Sequence, residues 1–74
     1  MLRRNFETTL RAFYRRRPFR PFVLELVNGT GIEIHHPEAL RQQEDLLVYR
    51  STTGAFSIFE CEAVARFLDA AGAV

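Results

Sequence analysis

Phe22-Val23-Leu24-Glu25-Leu26-Val27-Asn28-Gly29-Thr30-Gly31-Ile32-Glu33-Ile34 reads as strand, turn and strand. Phe22, Leu24 and Leu26 share one face, and Val23, Glu25 and Val27 share the other. A period of two marks a strand with one strongly apolar side. Asn28-Gly29 is a strong hairpin signal, because both residue types tolerate the positive φ of a tight turn. The return strand spans 32–36, with Ile32 and Ile34 on one face and Glu33 and His35 on the other. A two-residue turn would set Leu24 opposite Glu33. One further residue, supplied at Gly31 by a bulge or a longer loop, sets Leu26 against Ile32 and Leu24 against Ile34. Glu25 then faces Glu33, a like-charge pair that an arginine from the helix or Arg50 is placed to neutralise.

Upstream, Leu2, Phe6, Leu10 and Phe13 recur at helical spacing, which predicts an amphipathic helix over about 3–16. Arg4, Thr8, Arg11 and Arg15 occupy its opposite face, and Asn5 or Thr8 is a candidate cap. The apolar stripe reads as a packing face rather than a membrane face. Arg17-Pro18-Phe19-Arg20-Pro21-Phe22 breaks the helix, since each proline disfavours helical backbone in the residue before it. Phe19 and Phe22 are placed to turn inward and pin the helix to the sheet.

Downstream, His36-Pro37-Glu38 opens a short helical turn, with proline at its first position. Arg41-Gln42-Gln43-Glu44-Asp45 reads as a polar connection. Strands are expected at Leu46–Arg50 and at Ala55–Phe59, with a turn over Ser51–Gly54 between them. Residues 60–71 admit two readings. As a helix, Ala63, Val64, Phe67, Leu68 and Ala71 share a face and Gly72 closes the end. Otherwise Cys61–Ala63 is a turn and Val64–Leu68 a last strand.

The chain has 74 residues, 47% hydrophobic and 26% charged, which describes one small globular domain over 1–74. A chain this short buries only about 60% of its unfolded surface, so a docked partner is an expected source of extra stability. The net charge of +1 hides an asymmetry. Residues 1–20 carry seven of the ten arginines against Glu7 alone, while residues 21–74 carry eight acids against Arg41, Arg50 and Arg66. Every fixed cation is a guanidinium, suited to bidentate carboxylate or phosphate contacts. Cys61 is the sole cysteine, so no internal disulfide forms, which fits a reducing, cytoplasmic setting. No apolar run approaches the roughly 20 residues of a membrane span, and no apolar stretch follows Arg3-Arg4 to make an export signal.

Catalytic chemistry finds little support. His35 and His36 are adjacent, so on a strand they point to opposite faces and cannot share one metal ion. Cys61 with His35 or His36 is the only Cys–His candidate, nothing in the sequence brings them together, and Cys61 reads as a packing residue. Gly29-Thr30-Gly31 lies in a hairpin, not in a strand-to-helix phosphate loop. Neither a catalytic residue, a metal nor a cofactor is therefore expected. Binding is the remaining class. Arg4, Arg11 and Arg15 form a stripe that Arg16, Arg17 and Arg20 extend, with Phe13, Tyr14 and Phe19 interleaved. That surface suits an acidic protein or a second copy of the chain, with sheet edges as a further contact. It also suits RNA or another nucleic acid, through phosphate contacts and base stacking.

Pro18-Phe19-Arg20-Pro21-Phe22, Asn28-Gly29 and His36-Pro37-Glu38 together resemble a family of short uncharacterised bacterial proteins. Its pattern is an N-terminal helix, a Pro-Phe-x-Pro-Phe entry, an Asx-Gly hairpin and a His-Pro-Glu step, matched best over residues 6–40. The resemblance implies a small SH3-like or Sm-like barrel ending in a turn and a last strand. Glu60-Cys61-Glu62-Ala63 departs from it by being rich in helix formers. The resemblance implies no catalytic residue.

The expected fold is α+β. The N-terminal amphipathic helix packs on a four- or five-stranded antiparallel sheet that is partly closed as a barrel, and the C-terminal element is a helix or a last strand. The expected function is non-enzymatic binding, to a protein partner or in a homo-oligomer, with RNA binding as the alternative.

Overall fold

The computed structural model describes residues 1–70. Helix α1 spans Arg3–Tyr14, two residues shorter than its apolar period predicts. Its last turn closes on Arg15, whose N–H bonds to Arg11 O, before the Pro18 segment begins. Phe6 and Leu10 are the buried residues of its stripe, while Leu2 stays exposed at the entry.

Six strands follow: β1 Phe22–Leu26, β2 Gly31–Ile34, β3 Leu40–Gln43, β4 Leu46–Arg50, β5 Phe56–Glu60 and β6 Val64–Asp69. They form two three-stranded antiparallel sheets, β2-β1-β6 and β3-β4-β5. The α+β class is as expected, but the single four- or five-stranded sheet is not, and the strand pairings do not close into a barrel. The polar connection expected at 41–45 is instead strand β3 and a tight turn. Gln43 pairs with Leu46, and Glu44 takes φ 56° at the corner. Leu40 is buried and Gln42 half-buried, so a single sheltered face holds the strand in place.

Of the two readings of the C-terminal segment, the strand holds. Helix propensity at Cys61–Ala63 is spent on one 3-10 turn, after which Val64 to Asp69 pair with β1. Ala71 and Gly72, the proposed end of the alternative helix, lie outside the described residues. The 3-10 turn expected after His36 forms at Pro37–Ala39.

The first hairpin keeps its expected faces but not its register. Leu24 lies opposite Ile32, Phe22 opposite Ile34, and Glu25 opposite Gly31 rather than Glu33. The extra residue comes from the loop itself. Gly29 N–H bonds to Leu26 O and Leu26 N–H to Thr30 O, leaving Val27, Asn28 and Gly29 in a three-residue turn. Gly29 takes φ +90°, the left-handed position such a loop requires. Glu25 is neutralised across the sheet by Arg66 of β6, Nε to Oε1 at 2.7 Å.

Phe22 is fully buried and forms the hub of the core. Its ring meets those of Phe13 at 5.1 Å, Phe67 at 5.6 Å, and Tyr14 and Phe19 at 6.1 Å each. The Pro-Phe-x-Pro-Phe entry therefore does turn both phenylalanines inward. Phe6, Leu24, Ile34, Leu47 and Val64 complete the interior between the sheets and the helix. No helix among the described residues is long and apolar enough to cross a membrane.

Candidate functional site

The six arginines singled out on the sequence divide into two sets. Arg4, Arg11, Arg15 and Arg20 are exposed, and none has a carboxylate partner among the described residues. Arg11 and Arg15 border a groove of about 630 Å³ between α1 and β3, with Tyr14 and Arg17 beside them and Gln42 and Glu44 opposite. Gln42 bridges the floor, its amide donating to Glu7 Oε2 and to Glu44 O, each at 2.9 Å.

Arg16 and Arg17 serve the fold. Arg16 pairs with Asp69 of β6, donates to Arg20 O at 3.0 Å, and lies over the Phe13 ring at 4.5 Å. The Arg16 hydrogen bond holds the Asp69 carboxyl below the usual aspartate range. Arg17 folds back to the carbonyls of Tyr14 and Arg16 at the helix end, where cations complement the helix dipole.

Of the interleaved aromatics, Tyr14 borders the groove of Arg11 and Arg15, and Phe13 and Phe19 do not. Phe13, Tyr14 and Phe19 turn toward Phe22 and are half-buried. The Tyr14 hydroxyl is shared between Pro37 O at 2.9 Å and Leu40 O at 3.0 Å. Its burial pushes the phenol up to about 12. The helix thus presents guanidinium groups with only half-buried rings beside them, which favours contacts to carboxylates or phosphates over contacts to bases.

A second surface escaped the sequence reading. The outer face of β3-β4-β5 carries Leu46, Val48, Phe56 and Ile58, bordered by Arg41 and Arg50. Leu46 is 46% exposed, Phe56 68% and Ile58 66%, large fractions for side chains of this size in so small a molecule. Arg50 lies over the Phe56 ring at 5.9 Å. On the inner face, Leu47 is buried, and Tyr49 and Phe59 pack against the core. The signal was present in Leu46-Leu47-Val48-Tyr49, apolar on both faces, a pattern of strands covered on both sides.

The remaining polar residues are dispersed. His35 and His36 line a cleft of about 340 Å³ with Glu38, Arg50, Ser51 and Thr52. Cys61 is buried, its thiol 4.0 Å from Glu44 O, and burial followed by the Asp45 and Glu7 carboxylates pushes its pKa up. Such a thiol is the opposite of an activated nucleophile. No family model matches the chain, and no curated protein or solved structure matches it.

Proposed function

We propose that this protein is a non-enzymatic interaction module that acts by assembling with protein, foremost with a second copy of itself. The uncovered apolar side chains Leu46, Phe56 and Ile58, with the half-buried Val48 among them, carry the reading. Exposing such a row costs about 25 cal/mol for each Å² left in water, and a docked partner recovers that energy. Arg4, Arg11, Arg15 and Arg20 supply a second contact region for acidic groups on a partner.

Nucleic-acid binding is the second reading, favoured by those same four unpaired guanidinium groups. Two titrations separate the readings. Sedimentation velocity over rising protein concentration is expected to show self-association that Phe56→Asp weakens. Fluorescence anisotropy with a labelled single-stranded RNA is expected to show only weak binding at physiological salt. A protein that stays monomeric and binds RNA with a steep salt dependence, lost in Arg11→Ala/Arg15→Ala, overturns the assembly reading.

A further inference from the structure

Strand β5 is a bare sheet edge. The bonds Ser51 N–H to Ala55 O and Cys61 N–H to Asp45 O flank the β4–β5 ladder, in which Tyr49 faces Ser57 and Leu47 faces Phe59. Antiparallel pairs alternate between bonded and non-bonded. Residues 55, 57, 59 and 61 therefore bond inward to β4. Phe56, Ile58 and Glu60 direct their N–H and C=O groups outward, and none of these groups has a partner among the described residues.

Other edges of the molecule are blunted. On β3, the outward carbonyl of Leu40 receives the Tyr14 hydroxyl. On β2, the outward carbonyl of Glu33 receives the Tyr49 hydroxyl at 3.3 Å. On β6, the carbonyl of Val64 receives the Met1 ammonium at 2.7 Å. Strand β5 has no such cover, and it carries two of the most exposed large apolar side chains, Phe56 and Ile58. Bare strands of this kind pair with other strands.

We infer that β5 pairs antiparallel with β5 of a second copy about a twofold axis at Ile58, joining the two β3-β4-β5 sheets into one continuous sheet. This inference rests on the assembly reading and specifies its geometry. Only the register centred on Ile58 pairs the whole strand Phe56–Glu60 with itself. It brings together outward groups on both copies, for up to about six inter-chain backbone bonds. It also sorts the side chains of the outer face. Along the axis row, Val48 and Ile58 meet Ile58 and Val48 of the second copy. In the flanking rows, Phe56 meets Glu60 of the second copy.

Charge complementarity supports that register. Glu60 has no cationic partner among the described residues, and Arg50 has no carboxylate. Arg50 already reaches over Phe56. In the paired sheet, Glu60 of the second copy arrives at the far side of the same ring. The contact is isologous, as twofold symmetry requires. It is smaller than a standard interface, so self-association in about the 10–100 µM range is expected.

Disulfide trapping tests the geometry. Ile58→Cys places two thiols across the axis, whereas Gln43→Cys places an exposed thiol on the far edge of the same sheet. Under mild oxidation near 1 mM protein, about tenfold or more above the expected dissociation constant, Ile58→Cys is expected to convert to a covalent dimer and Gln43→Cys is not. A paired charge exchange is the second arm. Glu60→Arg is expected to weaken association about tenfold, and Arg50→Glu/Glu60→Arg to restore it. A self-associating wild type whose Ile58→Cys variant does not cross-link overturns the β5 pairing while leaving assembly standing. A wild type that stays monomeric at this concentration overturns both.

Discussion

Among the polar contacts that hold the helix and its exit segment to the sheets, those of Tyr14 and Arg16 carry a pH signature. Tyr14 spends its hydroxyl on Pro37 O and Leu40 O, so Tyr14→Phe is expected to cost about 1 kcal/mol at neutral pH. Its raised pKa adds a pH signature. A phenol kept neutral in the folded state stabilises fully below its ordinary 10.0, and that stability is lost as the pH rises through about 12. Denaturant melts across this range are expected to show an alkaline decline that Tyr14→Phe flattens. Asp69 has the opposite sign. Its lowered pKa gives stability that is present above its ordinary 3.8 and lost as the pH falls through the depressed value. Arg16→Gln is therefore expected to blunt the acid limb of thermal stability, measured by circular dichroism from pH 5 down to about pH 2. Arg16 Nε is buried without a hydrogen-bond partner, a desolvation cost that the ion pair, the Arg20 carbonyl and the Phe13 ring offset.

Turns set the registers of the elements, and one glycine decides the first. Gly29 sits at φ +90° with open space around it, so a Cβ meets backbone strain rather than a clash. Gly29→Ala is expected to destabilise by about 1 kcal/mol, read as a lowered denaturation midpoint at unchanged slope. Elements with local signals were legible in the sequence. The helix stripe, the Phe19–Phe22 anchor, the hairpin faces and the Pro37 turn all follow from neighbours within a few residues. Strand β3 was not legible, because Arg41-Gln42-Gln43 lacks apolar alternation and is held by tertiary contacts such as the Gln42 bridge to Glu7. The register of the first hairpin was missed by two residues. A G1-type turn at Gly29, rather than a bulge at Gly31, supplies the shift. The last strand competed with a helix of similar propensity, and pairing with β1 decided between them. At the candidate site, the outward arginines were legible from helix periodicity. That these strands are apolar on both faces was legible, but which face stays outside was not, because Phe56 and Ile58 are as hydrophobic as Phe59 and Leu47, and only the sheet's placement tells which side meets the core.

At the scale of the molecule, a small interior and a large uncovered face belong together. One ring, Phe22, joins the helix, the entry segment and β6. Phe22→Ala is expected to cost about 3–5 kcal/mol, close to the whole stability of a domain at the low end of the usual range of about 5–15 kcal/mol. Loss of the cooperative thermal transition checks it. Pairing through β5 extends the sheet without enlarging that core, and it satisfies backbone groups that otherwise face water. Hydrogen exchange followed by NMR reads those groups one by one. On raising the protein from about 10 µM to about 1 mM, across the range set by the expected affinity, the amides of Phe56, Ile58 and Glu60 are expected to slow together. Those of Ser57 and Phe59, already bonded to β4, are expected to stay slow throughout. Equal and rapid exchange of the first three at both concentrations contradicts a β5-paired dimer.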